Sequence, residues 1–165
     1  MNPARFAPLA LLALGTPALA QLDVSDDVFY QFMPIAWRDS NNDQYRYGDF
    51  NGMTASLDYL QSLGVTAVWM NPIHPTNAYH GYQHGPIGSV NSNFGTEADF
   101  LNFVAQAKAR GIKVLVDLVC YQVSTNQSSP NYFSSAYNNP ASPYDTWLAF
   151  TNSGNTSYDG GSYNT

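Results

Sequence analysis

The chain is poor in charged residues and has a single cysteine, and both shortages limit what it can be. Only 11% of its 165 residues are charged, and 6 Lys and Arg face 12 Asp and Glu, for a formal net charge of −6. So few cations argue against nucleic acid or an anionic membrane as a partner. Because Cys120 is the single cysteine, an intramolecular disulfide cannot form within these residues. Because Cys120 follows an apolar run, we expect it to be a buried, unreactive thiol.

A long apolar run is also missing, although residues 1–20 have the pattern of an export signal. Arg5 supplies a positive charge, Phe6 to Leu14 form a short apolar core, and Ala18-Leu-Ala20 is a small-residue cleavage site. The core is too short for a membrane anchor. The next residue is Gln21 rather than a lipid-attachment cysteine. We therefore expect a secretory signal peptide and a mature protein that is secreted to the periplasm or the medium.

Aromatic residues, by contrast, are abundant and make up 15% of the chain. Many rings with few charges suit a secreted protein that stacks aromatic faces on neutral sugars. A secreted fold that is rich in Tyr and Asn but binds no ligand has the same composition, so composition alone leaves both open.

Hydrophobic periodicity predicts strands that alternate with helices. The predicted strands are Val28 to Met33, Val65 to Met70 and Lys113 to Val119. The first predicted helix runs from Met53 to Leu63. The second is capped by Thr96 and Asp99 and ends before Gly111. Two consecutive βαβ units place three parallel strands side by side, and the apolar third strand suits burial on both faces. Beyond residue 123 no periodicity is convincing, apart from a short helix within Tyr144 to Phe150.

Polar loops follow the carboxyl ends of these strands, as in α/β barrels. Val65-Thr-Ala-Val-Trp-Met-Asn-Pro72, His80-Gly-Tyr82 and Asn93-Phe-Gly-Thr96 resemble the α-amylase family of retaining α-glucan hydrolases. The resemblance runs from about Val28 to about Ser124. It implies an α/β fold: a partial (β/α)8 barrel with its first three strands and two helices over residues 21–123, and then the start of an irregular inserted domain over residues 124–165. Since such a barrel needs eight units and roughly 250 residues, we expect a truncated product or a piece of a longer enzyme.

The same resemblance implies which residues bind sugar. Tyr82 matches the tyrosine that stacks on the sugar ring at the cleavage point, beside His80, although a packing role is the alternative. Asp117, at the end of the third strand, matches a structural carboxylate that supports the catalytic cluster. Gln122 replaces a histidine that hydrogen-bonds the sugar, and Tyr121 replaces an asparagine that is often a calcium ligand. A zinc site made from His74, His80 and His84 is disfavoured, because the glycines and proline around them indicate a loop.

A calcium loop is expected between the first strand and the first helix. Oxygen ligands on alternate residues can converge on one hard cation. By resemblance to related amylases and glucosidases, the ligands are Asp39, Asn41, Asp43, the carbonyl of Tyr45 and, least certainly, Asp49. A plain polar turn is the alternative.

In the family the catalytic carboxylates come from later strands, so no residue here is a candidate for the chemical step. The resemblance implies the N-terminal fragment of a secreted α-amylase-like glycoside hydrolase. Its substrates would be α-1,4-glucans such as starch and maltooligosaccharides, and the fragment alone is expected to be inactive. The alternatives are a non-catalytic carbohydrate-binding or scaffold remnant and another α/β-barrel glycosidase. Oligomeric state stays open.

Overall fold

The computed structural model describes residues 25–42, 47–76, 78–120, 122–125 and 132–158, so the expected export signal lies outside it. A parallel three-stranded sheet has the order β1–β2–β3, with β1 at Phe29–Phe32, β2 at Ala67–Met70 and β3 at Lys113–Val116. In its register Phe32 lies opposite Met70, and Met70 opposite Val116. The three carboxyl ends are therefore level, and the segments that follow them start from one edge of the sheet.

Four helices accompany the sheet in the described part of the chain. They are α1 at Phe50–Ala55, α2 at Leu57–Ser62, α3 at Glu97–Ala109 and α4 at Tyr132–Ala136, with single 3-10 turns at Pro34–Ala36, Ser92–Phe94 and Asp145–Trp147. The predicted helix over Met53 to Leu63 is in fact two helices that meet at Ser56. The hydroxyl of Ser56 donates to the carbonyl of Met53 (2.8 Å), a contact that bends helices. The capping box of Thr96 and Asp99 on α3 is confirmed.

The hydrophobic core lies between the sheet and helices α1 to α3. Phe50, Met53 and Leu60 of the first two helices and Phe103 of α3 are fully buried against Val68. Each such side chain contributes about 1.5–3 kcal/mol relative to an exposed one. This packing fixes the strands, and hence the edge at which their carboxyl ends lie.

The third strand is shorter and less buried than its sequence predicts. It ends at Val116 rather than Val119, and each of its four residues is half-buried, because within the described residues β3 pairs only with β2. The expectation of a buried Cys120 is wrong, since its side chain is exposed. Cys120 lies four residues beyond the end of β3, and among the described residues no strand pairs with the chain at that position.

Residues 132–158 pack around a small aromatic core of their own. Phe133 is buried and contacts Tyr137, Phe150 and Tyr158. Of the short helix expected within Tyr144 to Phe150, the structure shows the single turn Asp145–Trp147. Whether residues 124–165 form an inserted domain stays a prediction. None of the helices in the described residues has the length and hydrophobicity needed to cross a membrane.

Candidate functional site

The carboxylate of Asp117 is the centre of the candidate site, at the carboxyl edge of the sheet. Its own N–H extends the ladder to the carbonyl of Met70 (2.9 Å), which fixes Asp117 directly beyond β3. Oδ1 accepts from Nε1 of Trp69 at 3.0 Å, and Oδ2 accepts from Oη of Tyr82 at 2.5 Å. Both oxygens therefore have a donor, each from a different segment. We call Trp69, Tyr82 and Asp117 the Asp117 cluster.

Sequence reasoning missed Trp69, although a signal for it was present. Trp69 lies opposite Leu115 in the β2–β3 register, and side chains alternate along a strand, so Asp117 lies on the same face as Trp69. The alternation is visible in the sequence, but the β2–β3 register that places the indole next to the carboxylate comes from the structure. Trp69 is 40% exposed, so one side of the ring remains open to solvent or to a ligand.

The phenol of Tyr82 is held in its protonated form. Its hydrogen bond to Asp117, then burial, then the charge of Asp117 together raise the pKa of Tyr82 to about 12. At neutral pH the hydroxyl is therefore a donor to the carboxylate, and the ring is fixed in orientation.

The ring of His80 lies against the ring of Tyr82. The two rings stack at 5.7 Å with 29° between their planes, and Nδ1 of His80 accepts from the main-chain N–H of Tyr82 (3.0 Å). In the neutral imidazole the proton therefore sits on Nε2, which makes this nitrogen a donor. Gly81 between them has φ of +87°, and a Cβ there would lie 2.8 Å from the carbonyl oxygen of Pro72. Only glycine allows this close turn.

Gln122 also belongs to this region, but it acts on the main chain. Its Nε2 donates to the carbonyl of Tyr82 at 3.0 Å, so this amide ties the segment after β3 to the Tyr82 loop. Tyr121 lies outside the described residues. The structure thus brings together four residues that the sequence analysis predicted for the site: Tyr82, His80, Gln122 and Asp117.

His84 joins the same two segments more deeply. Its buried ring has Nε2 at 2.8 Å from the carbonyl of Val119 and Nδ1 at 2.8 Å from that of Gly85. The ring of His74 lies 5.9 Å from the ring of His84. Burial lowers the pKa of His74, and the nearby His84 lowers it further, although the hydrogen bond to the carbonyl of Ser89 acts in the opposite direction. Among the described residues no three His, Cys, Asp or Glu side chains converge as a metal site.

The predicted calcium loop is described only in part, because Asp43 and Tyr45 lie outside the described residues. Oδ1 of Asp39 accepts from the N–H groups of Asn41 and Asn42. Asp49 caps α1 by accepting from the N–H of Gly52 (2.7 Å), and it also accepts from the N–H and hydroxyl of Ser40. Burial raises the pKa of Asp49, but these donors outweigh burial and lower it overall. Because three donors already engage Asp49, a cation would have to share its oxygens, and the calcium ligand set stays a prediction.

Comparisons with known proteins bear on the same part of the chain. The family model described as alpha amylase, catalytic domain, matches residues 31–160. Alpha-amylase SusG of Bacteroides thetaiotaomicron is 41% identical over 125 residues, which are 76% of this chain and 17% of SusG. Alpha-amylase 3 of Dictyoglomus thermophilum is 37% identical over 122 residues, or 73% of this chain and 24% of that protein.

A solved structure shows the same fold. The isomaltulose synthase SmuA from Protaminobacter rubrum matches with a TM-score of 0.65 at 31% identity, over 74% of this chain and 21% of SmuA. This chain thus spans less than a quarter of each of these three proteins. Within that span the parallel strands are the first part of a (β/α)8 barrel. The match over residues 31–160 and these identities show that the chain belongs to the α-amylase family and corresponds to the N-terminal part of its catalytic domain.

Proposed function

We propose that this chain is the sugar-orienting part of a secreted α-amylase-like glycoside hydrolase that cleaves α-1,4-glucans. The main support for this proposal is the Asp117 cluster. In it, the indole of Trp69 and the phenol of Tyr82 both donate hydrogen bonds to one carboxylate at the carboxyl edge of the sheet. In α/β barrels this edge is where active sites are built. A fixed ring there gives a pyranose a flat apolar face to stack on.

Each residue of the region has a role that follows from its contacts. Tyr82 presents its ring to the sugar, and Asp117 and Trp69 fix the orientation of that ring. His80 stacks on Tyr82 and directs its Nε2–H toward a sugar hydroxyl. Gln122 holds the Tyr82 main chain. These residues bind and orient the substrate.

Asp117 is a positioning residue in this proposal. A retaining glycosidase needs a carboxylate nucleophile and a carboxylic acid about 5 Å apart. Both oxygens of Asp117 are already hydrogen-bonded to neighbouring side chains, which suits a support rather than a nucleophile. The chemical step therefore belongs to carboxylates outside these 165 residues.

The choice of α-1,4-glucan rests on two relatives that are named α-amylases. SmuA, with the same barrel, is named an isomaltulose synthase, so the family alone does not fix the reaction. Secretion rests on the sequence pattern of residues 1–20, and calcium binding on the loop from Asp39 to Asp49.

One observation favours a second candidate, a non-catalytic carbohydrate-binding or scaffold protein. Nε2 of Gln122 donates to the main-chain carbonyl of Tyr82, whereas the family histidine at this position is expected to contact the sugar. A remnant that binds glucan without cleaving it would tolerate this change.

The experiment that separates the two uses the whole protein that carries this chain. Soluble starch is incubated with the purified protein, and reducing ends are measured alongside retardation of the protein in starch-containing native gels. Release of reducing ends that copurifies with the protein supports the hydrolase. Retardation without release supports the remnant, and the absence of both overturns glucan as the ligand.

A further inference from the structure

A second group of aromatic rings lies away from the Asp117 cluster. Tyr132, Tyr144 and Trp147 all contact one another, with ring centroids 4.9–5.3 Å apart. Trp147 nevertheless remains 63% exposed, the highest exposure among the large hydrophobic residues that are exposed here. An exposed indole is unfavourable, because water solvates a large apolar surface poorly. A ring that packs against two other rings and is still mostly exposed is available to a ligand.

The turn that carries Trp147 is fixed by hydrogen bonds. The N–H of Trp147 donates to the carbonyl of Tyr144 (3.1 Å), and the N–H of Tyr144 donates to the hydroxyl of Ser142 (3.2 Å). The buried amide of Asn155 donates to the carboxylate of Asp145 (2.8 Å) and to the carbonyl of Ala136 (3.0 Å). A ring held in place before binding loses little conformational entropy when a ligand arrives.

The chemistry around Trp147 points to a neutral, hydroxylated ligand. Residues 132–158 contain seven aromatic residues and one charged residue, Asp145, which Asn155 engages. Asp145, Leu148, Thr151 and Asn152, which lie near Trp147 in the sequence, line an open depression of about 520 Å³. A surface without cations does not suit nucleic acid. Flat aromatic faces beside hydroxyl and amide groups suit a pyranose.

The group is tied to the loop that holds Tyr82. The hydroxyl of Tyr132 accepts from the N–H of Ile87 (3.2 Å), and Ile87 lies in the same loop between β2 and α3 as His80 and Tyr82. The N–H of Ser124, in the segment that follows β3, donates to the carbonyl of His84 (2.8 Å) in the same loop. The aromatic group is therefore linked by a hydrogen bond to the loop that carries Tyr82.

We propose that Trp147, backed by Tyr132 and Tyr144, is a second sugar-stacking platform that binds a glucose unit of an α-glucan chain. This inference rests on the proposed function for its ligand class, but it does not require that the glucan be cleaved. It assigns to residues 132–158 a direct part in holding extended substrates.

The test is calorimetric titration of the whole protein with maltoheptaose. Trp147→Ala is expected to weaken binding about tenfold, which corresponds to the loss of ~1.4 kcal/mol. Trp147→Phe keeps a flat ring and should recover most of the affinity, whereas Trp147→Leu keeps apolar bulk without the ring and should not. Tyr59→Ala on α2, which removes another exposed ring, is the matched control and should bind like the wild type. Thermal melts of each variant establish that it is folded.

Each outcome bears on the proposal. Wild-type affinity in folded Trp147→Ala or Trp147→Leu overturns it, as does a wild-type protein that binds no maltoheptaose. If the Trp147 variants instead dissociate a dimer of the wild type in size-exclusion chromatography while binding sugar normally, the patch is a contact between copies and the proposal is wrong. If the protein binds maltoheptaose through Trp147 but releases no reducing ends, the platform stands and the hydrolase function fails.

Discussion

Tyr82 and Asp117 are joined by the hydrogen bond on which the candidate site depends. A hydrogen bond to a charged group is worth about 1.5–3 kcal/mol, and here it fixes a ring whose only other ring neighbour among the described residues is His80. The orientation of Tyr82 is therefore set by Asp117 more than by packing. Trp69 keeps the carboxylate itself from rotating.

The first prediction concerns the titration of Tyr82. The hydrogen bond to Asp117, burial and the negative charge of Asp117 raise the pKa of Tyr82 to about 12. Folding therefore favours the neutral phenol. The resulting stability is present below the unfolded pKa near 10 and is lost as the pH rises from 10 through about 12. Ultraviolet difference titration of the whole protein should show a late-ionising component that corresponds to one tyrosine. The late component should vanish in Tyr82→Phe and persist in Tyr79→Phe; its persistence in Tyr82→Phe would assign it elsewhere.

The sequence predicted the individual site residues that a family resemblance identifies. It missed the residue whose role depends on how two strands pair. Tyr82, His80, Gln122 and Asp117 lie together as a family motif implies. Trp69 was missed because its role appears only once β2 and β3 are paired. The thiol of Cys120 was misjudged because the end of β3 cannot be read from an apolar run that continues past it.

Among the elements, helix α1 depends on its cap. Asp49 accepts from the N–H of Gly52 and also holds Ser40, so one carboxylate both starts the helix and closes the loop before it. Gly48 beside it is required, since a Cβ there would lie 2.2 Å from the carbonyl oxygen of Pro34.

The second prediction follows from this cap. Asp49→Ala should lower the free energy of unfolding by about 1–2 kcal/mol at neutral pH. The pKa of Asp49 is lowered in the fold, so its contribution is present above the unfolded value near 3.8 and is lost as the pH falls through the lower folded value. Urea denaturation at neutral and acid pH should show a smaller difference between the two in Asp49→Ala than in the wild type. Equal acid sensitivity in both proteins would rule out this linkage.

Element boundaries were predicted less well than element types. All three parallel strands and the capped helix α3 are where the periodicity places them, because burial against one core imposes both patterns. The break at Ser56 was not predicted, since it depends on a side-chain hydrogen bond that leaves periodicity intact. The helix α4 was missed because five residues are too few to show a helical period.

For the whole molecule, the calcium loop gives the third prediction. We expect calcium to bind the loop from Asp39 to Asp49 in the whole protein, with Asp39, Asn41, Asp43, the carbonyl of Tyr45 and Asp49 as ligands. Chelator should then lower the melting temperature, because a ligand that binds only the folded state stabilises it. Asp43→Ala should abolish this sensitivity, and Asp117→Asn should leave it intact. Unchanged sensitivity in Asp43→Ala would place the metal elsewhere and leave this loop a polar turn.

The open sheet gives the fourth prediction, for the 165 residues expressed alone. Phe29 of β1 and Trp69 of β2 are about 40% exposed, and β3 is half-buried along its length. Apolar strands with free edges favour association. Size-exclusion chromatography should therefore show oligomers or aggregates, and a monodisperse monomer with a cooperative melt would contradict this.

The role of Asp117 in orienting the substrate is tested by the kcat/KM for starch hydrolysis by the whole protein and its Asp117→Asn variant, with Tyr79→Phe as a control on the same loop. Misplacing a group that orients the substrate costs about a hundredfold in rate. We predict a loss of that order in Asp117→Asn, near-wild-type activity in Tyr79→Phe, and no release of reducing ends by the 165 residues alone. A wild-type protein that releases no sugar would overturn the hydrolase function, and an Asp117→Asn variant within twofold of an active wild type would overturn the role of Asp117.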